Sequence, residues 1–175
     1  MKKKTTFYWV FAALLLAISV ILKVYLGIPV SFLGNLAKDI NLSPAIIMLC
    51  GITMGPLMGG LVGGLTDIVA TLIRPMGAYV PWFTLTNILI GVIPALFYRK
   101  KDVKEYKFGK CLLVSVVEQT VCSALLNNIL LISLYGFPIE VAFFRAIGSY
   151  ISAALYAAIL YLLLNRTKSI FDKIK

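Results

Sequence analysis

Histidine is absent from this 175-residue sequence, and only seven residues are acidic. The first absence removes the commonest general base and metal ligand near neutral pH. The second leaves no pair of carboxylates at a spacing suited to a two-metal site. Cysteine is scarce as well. Cys50, Cys111 and Cys122 fall within or beside apolar stretches, without paired metal-ligand spacing, and read as small buried hydrophobes. The one Gly-Lys pair, Gly109-Lys110, lacks both the preceding glycine loop and the following Ser or Thr of a P-loop, so ATP hydrolysis by that route is excluded. No constellation supports an enzyme, and the expectation is of no metal and no cofactor.

Charge itself is thin. Charged residues make up 14% of the chain and hydrophobic ones 61%, with a mean hydropathy of +0.95. A soluble domain has about 25% charged and about 45–50% apolar residues. The expected fold is therefore an all-α integral membrane bundle, a single membrane domain over residues 1–175. The net charge of +10 does not point to nucleic acid, because the basic residues sit in short runs between apolar spans, where they set membrane orientation. The N-terminal segment begins with three lysines like a signal peptide. Its apolar core is too long and no cleavage site follows, so it reads as a retained first span.

A spanning helix takes about 20 apolar residues. Residues 7–26, 82–98, 110–135 and 139–164 satisfy this, while the apolar run 43–73 is too long for one span. Proline suits the first position of a helix and pushes the residue before it out of helical geometry, so Gly55-Pro56 divides this run into 43–54 and 56–73. Six helices result. An even number places both termini on one side, with Lys2–Lys4, the cluster Arg99, Lys100, Lys101, Lys104, Lys107 and Lys110, and the tail residues Arg166, Lys168, Lys173 and Lys175 together on the predicted cytoplasmic face.

The divided run carries glycine at 51, 55, 59 and 63, followed by Asp67 at the same spacing. Such a row makes a groove in which another backbone approaches closely. Here it predicts tight packing of the second and third helices around the Gly55-Pro56 turn. Asp67 then faces a neighbouring helix, as a structural acid rather than a proton carrier.

Helical rise places several polar residues at one depth below the outer face. Asn87 lies about 7 Å inward, Asn127 and Asn128 about 10–12 Å, and Arg145 about 9 Å, with the loop from Arg74 to Trp82 arching over them. Polar groups within a bundle mark functional sites. Arg145 needs a partner: Glu140, Asp67 or an anionic ligand. Arg74 sits either in the headgroup region or in the site. Tyr79 and Trp82 are either interfacial aromatics or ligand-stacking groups, and of the adjacent Asn127 and Asn128 at most one faces a ligand. Glu118 and Gln119, deeper on the fifth helix, have no assigned role.

The stretch "GPLMGGLVGGLTDIVATLIRPMGAYVPWFTLTNILIGVIPALFY", with "LLNNILLISLYG" and "FFRAIGSY" beyond it, resembles the folate-type branch of the S components of energy-coupling factor (ECF) transporters. Three positions after Arg145, where the family commonly has a basic residue, this sequence has Gly148. The resemblance implies a subunit that binds a vitamin near the outer face. It then docks on a membrane coupling subunit with two ATPases, which import the vitamin in prokaryotes. It also implies that Arg145 and Arg74 hold the carboxylates of folate, that Asn87 and Asn128 read the pterin edge, and that Tyr79 or Trp82 stacks on a ring. Ala13 and Ala17 match the family's docking stripe. Other vitamins (riboflavin, thiamine, pantothenate) remain open under the same architecture. A small ion-coupled transporter or a membrane enzyme would be readings of a different class.

Overall fold

The computed structural model describes residues 2–32, 35–75, 79–98 and 106–172. Arg99, Lys100, Lys101, Lys104, Lys173 and Lys175 of the expected cytoplasmic clusters, and residues 76–78 of the expected loop, lie outside the described residues. In chain order the elements are α1 (Lys2–Tyr25), β1 (Ile28–Phe32), β2 (Asn35–Ile40), α2 (Ser43–Met54), α3 (Pro56–Ile73), α4 (Pro81–Phe97), α5 (Phe108–Glu118), a π-helical segment (Gln119–Asn127), α6 (Asn128–Tyr135) and α7 (Ile139–Asp172).

Two features go beyond the six expected helices. Between α1 and α2 the chain forms an antiparallel hairpin, pairing Ile28 with Ile40 and Phe32 with Asn35, with an irregularity between Val30 and Ser31. The helix expected over 110–135 is instead a stack of α, π and α segments from Phe108 to Tyr135. Among the described residues, four helical stretches are long and apolar enough to cross a bilayer: Thr6–Tyr25, Pro56–Ile73, Phe108–Leu134 and Ile139–Thr167. α2 and α4 are apolar but shorter.

α2 sits at the centre. Every one of its residues except Thr53 is buried. Ile47, Met48, Leu49 and Cys50 join one core with Ala12 and Leu15 of α1, Val62 of α3, Ile90 of α4, Val114 of α5, and Tyr156 and Leu160 of α7. Lipid is as apolar as leucine, so close packing rather than hydrophobic burial holds such helices together.

Glycine permits the closest of these approaches. Gly55 ends α2 with φ of 104°, a conformation that a side chain strains, and its N–H closes the helix on the Gly51 carbonyl at 2.9 Å. Pro56 begins α3 immediately afterwards. The row of glycines faces two neighbours rather than one. A Cβ on Gly59 would stand 2.5 Å from Gly51 Cα and 2.6 Å from Gly91 O, and one on Gly63 would stand 2.1 Å from Asn87 O. The expected α2–α3 packing is therefore only part of the role of these glycines. They also let the α4 backbone into the same groove.

Candidate functional site

A cavity of about 330 Å³ opens where the ends of α1, α2, α3, α4 and α7 meet the hairpin and the π segment. Its walls combine Lys23, Arg74 and Arg145 with Asp39, Asp67 and Glu118. Amides come from Asn41, Asn87, Gln119 and Asn127, and rings from Tyr79, Phe83 and Tyr156. Apolar walls with a few converging polar groups are how proteins hold small ligands, in cavities of about 300–1,000 Å³.

Asp67 organises one side. It is buried, forms an ion pair with Lys23 of α1, and accepts hydrogen bonds from Thr84 Oγ1 at 2.7 Å and Asn87 Nδ2 at 3.1 Å. The helix faced by Asp67 is thus α4, and its cation is Lys23, a residue to which the sequence assigns no role. Asn87 gives a second bond from the same nitrogen to Phe83 O at 2.8 Å. Tyr79 OH lies 2.7 Å from Thr84 Oγ1, which ties the segment entering α4 to this cluster.

The arginines stand on other walls. Arg74 ends α3, and one η nitrogen donates to Val24 O at 3.0 Å, near the end of α1. A cation there also suits the negative end of the α1 dipole. Arg145 projects from α7, and its Nε donates to Asn128 Oδ1 at 3.1 Å. Asn128 is held in turn by its own bond to Ala142 O at 2.9 Å. Among the three partners expected for Arg145, Asp67 is taken by Lys23 and Glu140 is exposed.

Adjacent residues divide their tasks. Asn128 orients Arg145, whereas Asn127 lines the cavity with a buried Oδ1 that accepts no hydrogen bond among the described residues. The π segment places Gln119, Cys122, Ser123 and Asn127 together on the cavity side. π-helical runs are rare and concentrate at functional sites. Below them Glu118 is fully buried and accepts from Gln119 Nε2 at 3.0 Å. The hairpin closes a further edge: Asn41 donates to Asp39 Oδ2 at 3.3 Å, and Asn41 O accepts from Tyr156 OH at 2.8 Å.

Of the residues singled out in the sequence, Arg145, Arg74, Asn87 and Tyr79 meet in this cavity, together with Asp67, Glu118, Gln119 and Asn127. Trp82 does not line it and is 50% exposed, and Asn128 stands behind the wall. Ala13 and Ala17 are exposed on the outside of α1. Lys23, Asp39, Asn41 and Tyr156 are additions that only the folded chain reveals.

The architecture has known counterparts. "Crystal structure of FolT bound with folic acid" aligns with a TM-score of 0.75 at 24% identity, over 89% of this chain and 91% of that one. "Structure and mechanism of the S component of a bacterial ECF transporter" aligns with a TM-score of 0.72 at 19% identity, over 95% and 98%. At these identities the likeness establishes the fold. A folate transporter, FolT, of Clostridium novyi (strain NT) is 28% identical over 116 residues, which span 66% of each chain and so just under two thirds of the relative. The model of one transporter family matches residues 3–168, nearly the whole sequence. This multi-pass membrane protein belongs to that family, described as the ECF-type riboflavin transporter, S component.

Proposed function

We propose that this S component captures folate at the outer face of the membrane and delivers it, through a membrane coupling subunit and two ATPases, to the cytoplasm. In this reading all six helical units lie within the bilayer thickness with both termini cytoplasmic. α2 and α4 are tolerated despite their length because neighbours shield them. The ATPases supply the energy that this chain, without a P-loop, does not. Ala13 and Ala17 on the exposed face of α1 offer the small-residue stripe for the coupling subunit.

The observation that carries the reading is the convergence of Arg74 and Arg145, from different helices, on a cavity that also holds amides and aromatic rings. Lys23 and Asp67 neutralise one another, and the two guanidinium groups line the same cavity from other walls, where an anionic ligand can reach both. A glutamate tail supplies two carboxylates suited to paired N–H donors. Asn87 and Asn127 face the heterocycle, and Tyr79 or Phe83 packs on a ring. The curated relative is a folate transporter, which supports the same choice.

Riboflavin is the second reading, favoured by the family description. It is uncharged at neutral pH and offers the arginines no anion. Calorimetry on the purified protein with folate and with riboflavin, together with mass spectrometry of what co-purifies, decides between them. Tight folate binding lost in Arg145→Ala supports folate; tight riboflavin binding indifferent to Arg145→Ala supports riboflavin. Reconstitution tests the transport assignment: binding alone, and uptake only with the ATPase module, distinguishes an S component from an ion-coupled transporter.

A further inference from the structure

The polar wall formed by Asn87 and Tyr79 has a direction, and Asp67 sets it. An ionised carboxylate beside Lys23 can only accept hydrogen bonds. Thr84 therefore gives its single proton to Asp67 Oδ2, and the 2.7 Å contact between Tyr79 and Thr84 must have Tyr79 as donor. Asn87 is fixed by the same logic. Its amide nitrogen faces two acceptors, Asp67 Oδ1 and Phe83 O, and a flipped amide would set oxygen against oxygen at both. What remains for the cavity is the Tyr79 oxygen lone pairs and Asn87 Oδ1. Both are acceptors.

We propose that Lys23 and Asp67, with Thr84 as the intermediate, determine ligand specificity by making the α4 wall of the cavity acceptor-only. The ligand edge seated against it must present N–H donors. This rests on the folate reading, and it assigns to that wall the amino-bearing pyrimidine edge of the pterin rather than a carbonyl. None of the three residues has to form the decisive contact with the ligand. They act through Asn87 and Tyr79, so they are positioning residues. Thr84 does not line the cavity at all.

The test compares three ligands by calorimetry: folate, its 2-desamino-2-methyl analogue, and p-aminobenzoylglutamate, which lacks the pterin. The unaltered protein is expected to prefer folate to the analogue by about 10²-fold, the size of leaving buried acceptors without donors. Asp67→Asn can donate as well as accept, and should shrink that preference to within about threefold. Thr84→Val, isosteric and outside the cavity lining, frees the Tyr79 proton and should shrink it about tenfold. Affinity for p-aminobenzoylglutamate should stay unchanged in Thr84→Val, which leaves the charges of the cavity as they are. An unchanged folate-to-analogue ratio in variants that melt cooperatively would overturn the inference, as would equal weakening of all three ligands. If Asp67→Asn fails to fold, Thr84→Val decides the matter alone. Failure of the unaltered protein to bind folate would overturn the functional reading and this inference with it, whereas an unchanged ratio overturns the inference only.

Discussion

Lys23, near the end of α1, and Asp67, within α3, form an ion pair across 44 positions of sequence, with the lysine side chain 20% exposed and the aspartate 6%. The pair joins two helices at the edge of the cavity and supplies the fixed charge around which Thr84 and Asn87 arrange their protons.

Removing the cation alone should therefore be costly. Lys23→Met leaves Asp67 buried and uncompensated, and is expected to destabilise the protein by about 3 kcal/mol, the low end for breaking a buried pair because the lysine keeps some exposure. Combining it with Asp67→Asn removes both charges while preserving hydrogen bonds, and most of the loss should return. Thermal unfolding in one detergent measures both variants, and an equal drop in the two would contradict the expectation.

The glycines make a graded series. An added methyl at Gly51 would sit 2.0 Å from Gly91 O, and one at Gly91 would sit 2.1 Å from Gly59 O, with backbone on both sides of the clash. Gly51→Ala and Gly91→Ala should each cost about 2 kcal/mol or more, as overpacking does. Gly60→Ala meets side chains at 3.2 and 3.3 Å and backbone only at 3.9 Å, and should cost less. Gly109→Ala meets nothing within 4 Å near the start of α5 and should be neutral or stabilising by about 0.5–1 kcal/mol. The rank order of unfolding temperatures is the check.

Arg145 and Asn128 should be separable by ligand. Arg145→Ala is expected to weaken folate by about 10²-fold, consistent with a charge-assisted bond of about 1.5–3 kcal/mol. Pteroate lacks the glutamate tail and should be far less sensitive. Asn128→Ala removes the acceptor that orients the guanidinium, and should weaken folate by about tenfold through geometry alone. Calorimetric titration of both ligands into both variants gives the answer. Equal losses for pteroate and folate would place Arg145 away from the tail.

Trp82 and Asn127 provide the opposite contrast. Trp82→Leu alters a half-exposed ring outside the cavity and should change folate affinity less than about twofold, within the usual small effect of surface changes. Asn127→Leu removes a lining amide and should cost about tenfold in affinity. A larger effect from Trp82 would return that ring to the binding site.

What could be read from the sequence followed local rules. Gly55-Pro56 breaks the chain because φ restrictions act between neighbours, and α2 ends at Met54 with α3 starting at Pro56. Arg145 stood out because a guanidinium within an apolar helix demands a reason. Lys23 gave no such signal. Near the end of a span a lysine ordinarily reaches the interface, and its partner lies far away in sequence. The hairpin was signalled by the alternation in "IPVSF" before a Gly-Asn pair, a pattern that counting spans passes over. The choice between Asn127 and Asn128 depends on helix register, and the π segment changes that register through contacts beyond the reach of sequence periodicity.

The position of α2 has a consequence for how this molecule tolerates change. Helices that border lipid meet a fluid, which reshapes itself around a larger or smaller side chain. Apart from Thr53, α2 is buried within the same chain, so its surroundings behave as a solid. Exchanges that keep hydropathy but alter shape, such as Ile47→Phe, are invisible to any rule of membrane insertion and yet fall where nothing can flow to make room. Its twelve residues answer to the shape of their neighbours and not to the thickness of the bilayer.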